Sequence, residues 1–557
     1  MNSSTMTPDG RNGNLSLSSL YSLSTVWFAK IISGRPTGFR IFSVLMALST
    51  SLLVLITTAP NGIALIPDSV GYIAAARSLS AGHGLTLYDS SPLTIWAPLY
   101  PAVLALIELI SGLDPLEGAR YISAGSFGLV VYFSGLLFQR RLARTSLVVV
   151  GLVAVSASPV FFSVSTYAST EPLFILWTML FLLLLDDYLK EGSSELLIPI
   201  AIVTGLACLT RYFGISLAVT GAAAILSLQR TSFRLRLNHL IWFGAVSAAP
   251  LGVWAFRNFL LDSTLFDGRD PSPYPLHHNL YFALIRVLSW FFPLDYLADS
   301  LKYTKAHFAL GAMAGYIVGL VWSPMNVLKQ FKPAIRRIGP EILFCGIYST
   351  LLIAVSTITA HEGIHDRYMS PVYVPTILMF LYFLEDRLAK SSTFFSFRLF
   401  SFGGSLTMRK LAYSFLFAWL AILITRTAFA AFQLMQTGLG YNHIDWRTSE
   451  TVSYLRRQIL SGDTDIAVFS NDPEAVYILS GASVSYSPQA TGYRSSEPRK
   501  PVASIAGRWP GSQKIFLVWF HKTERAHLYE IYELEQIADL TVVEALQDGI
   551  IYEVKSK

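Results

Sequence analysis

The chain has 557 residues, of which 53% are hydrophobic and only 14% charged, with a formal net charge of +6. Ordinary soluble chains carry about 25% charged residues, so this balance, with a mean hydropathy of +0.48, excludes a soluble protein of this length. No basic, aromatic-interleaved patch points to nucleic acid. The two cysteines, Cys208 and Cys345, lie inside apolar runs, where they read as small buried hydrophobes rather than a disulfide or metal pair.

Charges cluster between long apolar runs, the pattern of a polytopic membrane protein. Residues 1–24 are a polar, Ser-rich leader, and 25–32 suit the membrane surface. Lys30, Arg35 and Arg40 precede the first span, 41–58, and place the N-terminus in the cytoplasm. Residues 66–100 then form an outward-facing loop holding Asp68, a helix-like run at 69–80, His83 and several tyrosines. Residues 98–112 are apolar but interrupted by Pro101 and Glu108, so they are expected to lie at the interface as a helix. If they crossed, every later basic cluster would face outward.

Spans are expected at 119–138, 147–164 and 172–185, with an outer turn at 167–171. Residues 196–228 would reach about 50 Å as one helix, against about 30 Å of hydrocarbon, and are expected to form a hairpin turning at 210–214. A span at 240–256 leads to an outer loop, 259–305, with an interfacial stretch at 280–292. Spans at 308–322 and 342–359, an outer loop at 361–371, and spans at 372–384 and 411–431 complete the set. The count is about eleven transmembrane helices, with nearly every basic cluster inside. From about Tyr441 strands are expected at 465–469, 514–520 and 550–554, and helices at 451–460, 473–479 and 524–537. The expected organisation is a leader at 1–40, a transmembrane domain at 41–435 and a small extracytoplasmic α/β domain at 436–557.

This topology gathers ionisable groups at the outer helix ends. They are Asp68, Tyr72, Arg77 and His83; Glu171; Arg211; Arg257 with Asn258; and His361, His365, Asp366, Arg367 and Tyr368. Such groups near membrane depth are costly and point to function. Two carboxylates with several arginines suit a reaction with a phosphate leaving group, one carboxylate taking a proton and guanidinium groups holding the phosphate. Structural readings compete. Asp68 would cap the following helix, Glu171 would favour a helix N-terminus, Arg211 would snorkel, and Arg367 would pair with Asp366 or Glu362. His361 and His365 have helical ligand spacing, but Gly363 lies between them in a loop-like stretch.

The motifs PDSVGYIAAARSLSAGHG at 67–84, PLYP at 98–101, GAR at 118–120, TEPLF at 170–174, LTRYFG at 209–214, FRN at 256–258, HDRYMSPVYVP at 365–375 and NDPEAVYILSG at 471–481 follow one another along the chain. Their order resembles the GT-C integral-membrane glycosyltransferases, in particular the bacterial group similar to protein O-mannosyltransferases and lipid A aminoarabinose transferases (family 39-like). The resemblance implies interfacial helices in the first outer loop and a polyprenyl-phosphate-linked sugar donor. It also implies an acceptor hydroxyl on a glycan, lipid or protein, and an inverting hexosyl or pentosyl transfer at the outer face of the plasma (inner) membrane. Asp68 maps to the candidate base and Glu171 to the second acidic residue. Arg211, Arg257 and Arg367, with Tyr72, His83 and Tyr368, are expected to bind the donor. Many members carry two adjacent acidic residues in the first loop, whereas Ser69 follows Asp68 here, so no metal is assigned and a divalent cofactor lacks support. The competing function is a lipid or solute transporter without chemistry, which would place its charges near mid-membrane in repeated halves.

Overall fold

The computed structural model describes residues 37–265, 270–292, 327–360, 362–390, 396–397, 406–461, 466–511 and 514–557. The chain divides into two compact units, Met1–Leu45 and Met46–Lys557, and the candidate site lies wholly within the second.

The helical part begins with α1 (Thr37–Thr57), whose Leu48, Leu52 and Ile56 recur at helical spacing and are exposed, as a lipid-facing stripe requires. Two short helices follow, α2 (Pro67–Ser80) and α3 (Leu99–Ser111), and then α4 (Pro115–Arg141). Asp114 caps α4, its carboxylate accepting from the Leu116 N–H at 2.9 Å. The expected span at 147–164 is two helices, α5 (Thr145–Ser156) and α6 (Pro159–Ser165), bent by 40°. Pro159 cannot donate to the α5 ladder, and Ser158 restarts the helix by accepting from the Phe161 N–H at 3.2 Å. Next come α7 (Glu171–Glu191), α8 (Leu197–Thr210), α9 (Ile215–Ser227) and α10 (Phe233–Asp262). The break between α8 and α9 falls where the sequence places the hairpin turn. A Cβ on Gly214 would lie 2.3 Å from the Cys208 nitrogen, so only glycine lets the turn fold back on α8.

Helix α11 (Leu276–Ser289) overlaps the stretch expected at 280–292. It is followed by α12 (Val327–Ile358), kinked at Ile338, then α13 (Asp366–Met369), α14 (Tyr373–Lys390) and α15 (Met408–Thr437). Among the described residues seven helices are long and apolar enough to cross a membrane, or eight with the bent α5–α6 pair. Helices α8 and α9 are apolar but shorter. The expected span at 308–322, the leader, residues 25–32 and His361 lie outside the described residues.

Two sets of contacts define the two ends of this bundle. At one end Arg140 and Arg141 of α4 meet Asp186 and Asp187 of α7 and Glu341 of α12. There Glu385 of α14 accepts from the Ala143 and Arg144 backbone N–H groups. At the other end lie Asp68, Glu171, Arg211 and Arg367. The helices alternate in direction between the two ends, as a multi-pass membrane protein requires.

The C-terminal part is a five-stranded mixed sheet in the order β2-β1-β3-β5-β4, with β1 Ile466–Ser470, β2 Ser485–Tyr486, β3 Lys514–Phe520, β4 Ala538–Ala545 and β5 Gly549–Ser556. Strand β1 runs parallel to β2 and β3; β5 runs antiparallel to β3 and β4. The core beneath it includes Ile515, Leu517, Tyr529, Leu534 and Val554. The short helices α16 (Ile444–Arg447), α17 (Glu450–Tyr454), α18 (Pro473–Ser480) and α19 (Ile531–Leu534) complete it. One expectation fails: 524–537 is a loop apart from α19. The Arg525, His527, Leu528 and Tyr529 side chains all turn inward, which no single helical face permits. Strand β4 escaped the sequence reading because its burial alternates poorly.

Candidate active site

Helix α2 carries the first carboxylate. Ile66, in extended conformation, is its N-cap residue, Pro67 opens the first turn, and Asp68 lies within that turn. The Ile66 N–H donates to the Ser69 hydroxyl at 3.2 Å. Asp68 therefore does not cap the helix, and its carboxylate is free for other partners. The preceding strand-like segment is fixed beside the start of α7, with the Ala64 N–H donating to the Thr166 carbonyl at 2.8 Å and the Ala168 N–H to the Ala64 carbonyl at 3.0 Å.

Glu171 opens α7, where proline at the next position is tolerated. Arg211 sits at the α8–α9 turn and Arg367 in the one-turn helix α13. These four side chains, from four distant parts of the sequence, converge. Arg367 donates through Nη2 to Asp68 Oδ2 at 2.7 Å and through Nε to Glu171 Oε1. Arg211 Nη1 donates to Glu171 Oε1 and to the Thr170 hydroxyl, the latter at 2.8 Å. Arg367 thus bridges the two carboxylates rather than pairing with its neighbours. Asp366 accepts from Trp290 Nε1 at 3.1 Å, and Glu362 meets His365 at 3.0 Å.

The two carboxylates differ in their surroundings. The Glu171 side chain is 1% exposed and faces two guanidinium groups, while that of Asp68 is 32% exposed and shares one. Glu171 Oε2 is buried. Two carboxylates and two guanidinium groups make the cluster formally neutral.

Tyr72 lies one turn beyond Asp68 on α2, buried, with its ring 5.2 Å from Trp96 and 5.4 Å from Tyr100. Burial, with the Asp68 charge nearby, holds its phenol well above the usual range, so it stays protonated. Tyr368 lies 5.8 Å from the Arg367 guanidinium and stacks on His365 at 4.5 Å. The structure thus joins Asp68, Glu171, Arg211, Arg367, Tyr72 and Tyr368 in one neighbourhood.

Two expected residues are placed elsewhere. His83 is exposed in the turn beyond the C-terminal end of α2, the far end from Asp68, on a helix that at 14 residues is about 20 Å long. Arg257 donates to the Leu93 carbonyl and lies 4.6 Å over the Trp254 ring, so its contacts hold the loop after α2. Trp254 in turn donates to the Tyr212 hydroxyl at 3.0 Å, beside Arg211. Thr170, Trp96 and Tyr100 were not singled out as site residues. The TEPLF and PLYP motifs contain two of them, but only the fold shows which of many aromatics pack on Tyr72. Among the described residues no group of three or more His, Cys, Asp or Glu side chains converges as a metal site would.

No protein-family model and no curated relative matches the sequence. Solved structures do. ArnT from Cupriavidus metallidurans in the apo state superposes with a TM-score of 0.57 at 13% identity, covering 93% of this chain and 98% of that one. The same protein bound to undecaprenyl phosphate gives 0.50 at 14% identity with the same coverage. The Archaeoglobus fulgidus oligosaccharyltransferase tethered to an acceptor peptide gives 0.52 at 11% identity, covering 92% and 74%. The chain has the GT-C fold. At these identities the likeness is one of architecture, and it extends over nearly the whole chain, including the C-terminal sheet.

Proposed function

We propose that this protein is a membrane glycosyltransferase that moves a hexosyl or pentosyl residue from a polyprenyl-phosphate-linked donor to an acceptor hydroxyl on a glycan, lipid or protein. The observation that carries the reading is the convergence of Asp68 and Glu171 on Arg367, with Arg211 beside them, at one end of the helix bundle. A transporter would place such charges at mid-membrane. Support for the donor comes from fold neighbours captured with undecaprenyl phosphate and, in the archaeal AglB structure, with a dolichol-phosphate.

In this reading Asp68 takes the proton of the acceptor hydroxyl as its oxygen bonds to the anomeric carbon. The carbon–oxygen bond to phosphate breaks on the opposite face, and its electron pair leaves with the phosphate. One displacement inverts the anomeric configuration. Arg367 and Arg211 hold the phosphate as its charge grows. Glu171 orients both guanidinium groups. Arg367 turns from Asp68 to the donor phosphate, so donor binding frees the Asp68 carboxylate for the acceptor hydroxyl. Tyr72 and Tyr368 line the donor site, while Arg257 shapes the loop above it. In this reading residues 1–40 are a cytoplasmic leader, 41–435 a catalytic domain in the inner membrane and 436–557 an extracytoplasmic domain.

The test is mass spectrometry of envelope glycans from cells with the gene, without it, and with an Asp68→Asn copy. A sugar lost on deletion should return with the wild-type gene and not with Asp68→Asn. Identical glycans in all three strains would overturn the proposal.

A further inference from the structure

The C-terminal sheet contains no group yet used by the chemistry, but it grips the loop that carries Asp68 at two places. Just ahead of α2, the end of α15 and the linker after it, which leads into the C-terminal part, hold residues 61–65. Asn61 Nδ2 donates to the Leu434 and Met435 carbonyls at 3.1 and 2.9 Å, and Asn442 Nδ2 to the Ile63 carbonyl at 2.7 Å. The Tyr441 N–H donates to the Leu65 carbonyl at 3.0 Å. Gly440, at a φ of +61°, comes so close that a Cβ there would lie 1.9 Å from the Leu65 oxygen. Beyond α2, the Tyr88 hydroxyl donates to Glu474 Oε1 at 3.2 Å, the Ser483 hydroxyl donates to the Tyr88 carbonyl at 3.0 Å, and the Tyr88 ring lies 5.8 Å from Tyr477.

A buried polar chain joins the two grips. The Tyr441 hydroxyl donates to Asp472 Oδ1 at 2.7 Å. Arg525 Nη2 donates to Asp472 Oδ1 at 3.1 Å and to Glu474 Oε2 at 2.8 Å. Thr523 donates to Asp472 Oδ2 at 2.8 Å, and Tyr486 donates to Glu474. Asp472 and Glu474 are each 3% exposed. The path from Leu65 through Tyr441, Asp472, Arg525 and Glu474 to Tyr88 closes around the helix bearing Asp68 and Tyr72.

We infer that the C-terminal domain is a positioning element that clamps the Asp68 loop through Gly440–Tyr441 on one side and Glu474–Tyr88 on the other. A carboxylate base works only within hydrogen-bond reach of its proton, and a shift of about 1 Å in such a group costs roughly 100-fold in rate. Leu65 is three residues from Asp68, so movement of one is felt by the other. Buried charges held by this many partners suit a rigid link, since removing one leaves the others uncompensated. The catalytic consequence rests on the glycosyltransferase reading; the mechanical one does not.

The experiment uses the full chain in detergent and two measurements. Amide exchange is followed over 61–80, and turnover is followed with a labelled polyprenyl-phosphate sugar. Gly440→Ala drives a methyl into the Leu65 carbonyl; exchange over 61–80 should rise at least 10-fold, and kcat should fall about 10-fold with the donor KM within twofold. Val554→Ala is the control: it opens the sheet core away from the clamp, and should speed exchange in the strands while leaving 61–80 and kcat unchanged. Tyr88→Phe combined with Glu474→Gln loosens the second grip, with faster exchange over 82–93. The inference is overturned if Gly440→Ala leaves 61–80 at the wild-type rate, or if Val554→Ala has the same effect on it. If Gly440→Ala does not fold, wild-type exchange over 82–93 in the Tyr88/Glu474 double variant overturns it. A wild type that turns over no polyprenyl-phosphate sugar defeats the glycosyltransferase reading, while the exchange data still decide the clamp.

Discussion

Replacing Asp68 by Asn should tighten the binding of a bare polyprenyl phosphate while abolishing transfer. In the resting cluster Arg367 is held at 2.7 Å by Asp68, with the two side chains 16% and 32% exposed. Two unit charges about 4 Å apart at an effective dielectric of 20 attract by about 4 kcal/mol. Partial exposure and the remaining bond to Glu171 reduce what a phosphate must displace to about 1–2 kcal/mol. Asparagine keeps the shape but removes the competing charge, so affinity should rise about 10-fold, at 1.4 kcal/mol per decade. Loss of the base should lower transfer by roughly 10²–10⁴-fold. The assay titrates polyprenyl phosphate into purified wild-type and Asp68→Asn protein, followed by intrinsic tryptophan fluorescence, beside a transfer assay. Equal or weaker binding in the variant would refute the shared-guanidinium argument. Wild-type transfer would refute the base assignment and pass it to Glu171.

Arg211→Lys and Arg367→Lys should lose donor affinity by at least 10-fold with the fold intact, because lysine lacks the planar fork; Arg257→Lys should lose less than threefold. Equal losses in a binding titration would contradict the placement of Arg257 on the Leu93 carbonyl. Alanine at Arg211 or Arg367 should also destabilise the protein by about 3–5 kcal/mol in denaturant melts, since it leaves buried Glu171 undercompensated. His527 is pushed down to about 4, first by burial and then by Arg525 and Arg499. The unfolded chain therefore takes up its proton first, and C-terminal stability should be full above pH 6.5 and fall as the pH drops toward 4. After solvent screening the loss is about 1–2 kcal/mol, and melts of His527→Gln should lack this slope. A C-terminal reporter that fluoresces only in the cytoplasm should stay dark if Lys557 lies outside; fluorescence would require an even number of crossings.

Much of the fold was legible because its determinants are local. Lys and Arg clusters ended spans, Pro172 marked the start of α7, and LTRYFG marked the α8–α9 turn. Strand β3 matched its expected bounds of 514–520 because a run of six apolar residues follows Lys514. The loop at 524–537 was misread because helical spacing of polar and apolar residues there serves burial on several sides. In the site, the residue types were legible but their pairing was not. Arg367 has Asp366 as its chain neighbour, yet its partners lie 299 and 196 residues away. Arg257 adjoins the same surface in sequence terms, but the Leu93 carbonyl claims it. Such choices depend on which loop ends pack together, information spread over the whole chain.

The division of labour between the two carboxylates follows from their burial. The Glu171 side chain is 1% exposed and faced by two guanidinium groups, so in the proposed mechanism it anchors Arg211 and Arg367. Asp68 is a third exposed and loses only one partner when Arg367 moves. In the proposed mechanism it therefore serves as the base and returns to the ion pair when the phosphate leaves. The proposed mechanism also implies an order of events: an anionic donor head enters first and turns Arg367 away, because a neutral acceptor hydroxyl offers the guanidinium nothing stronger than Asp68 already does. A base freed only once the donor is seated means that the site would bind donor before acceptor.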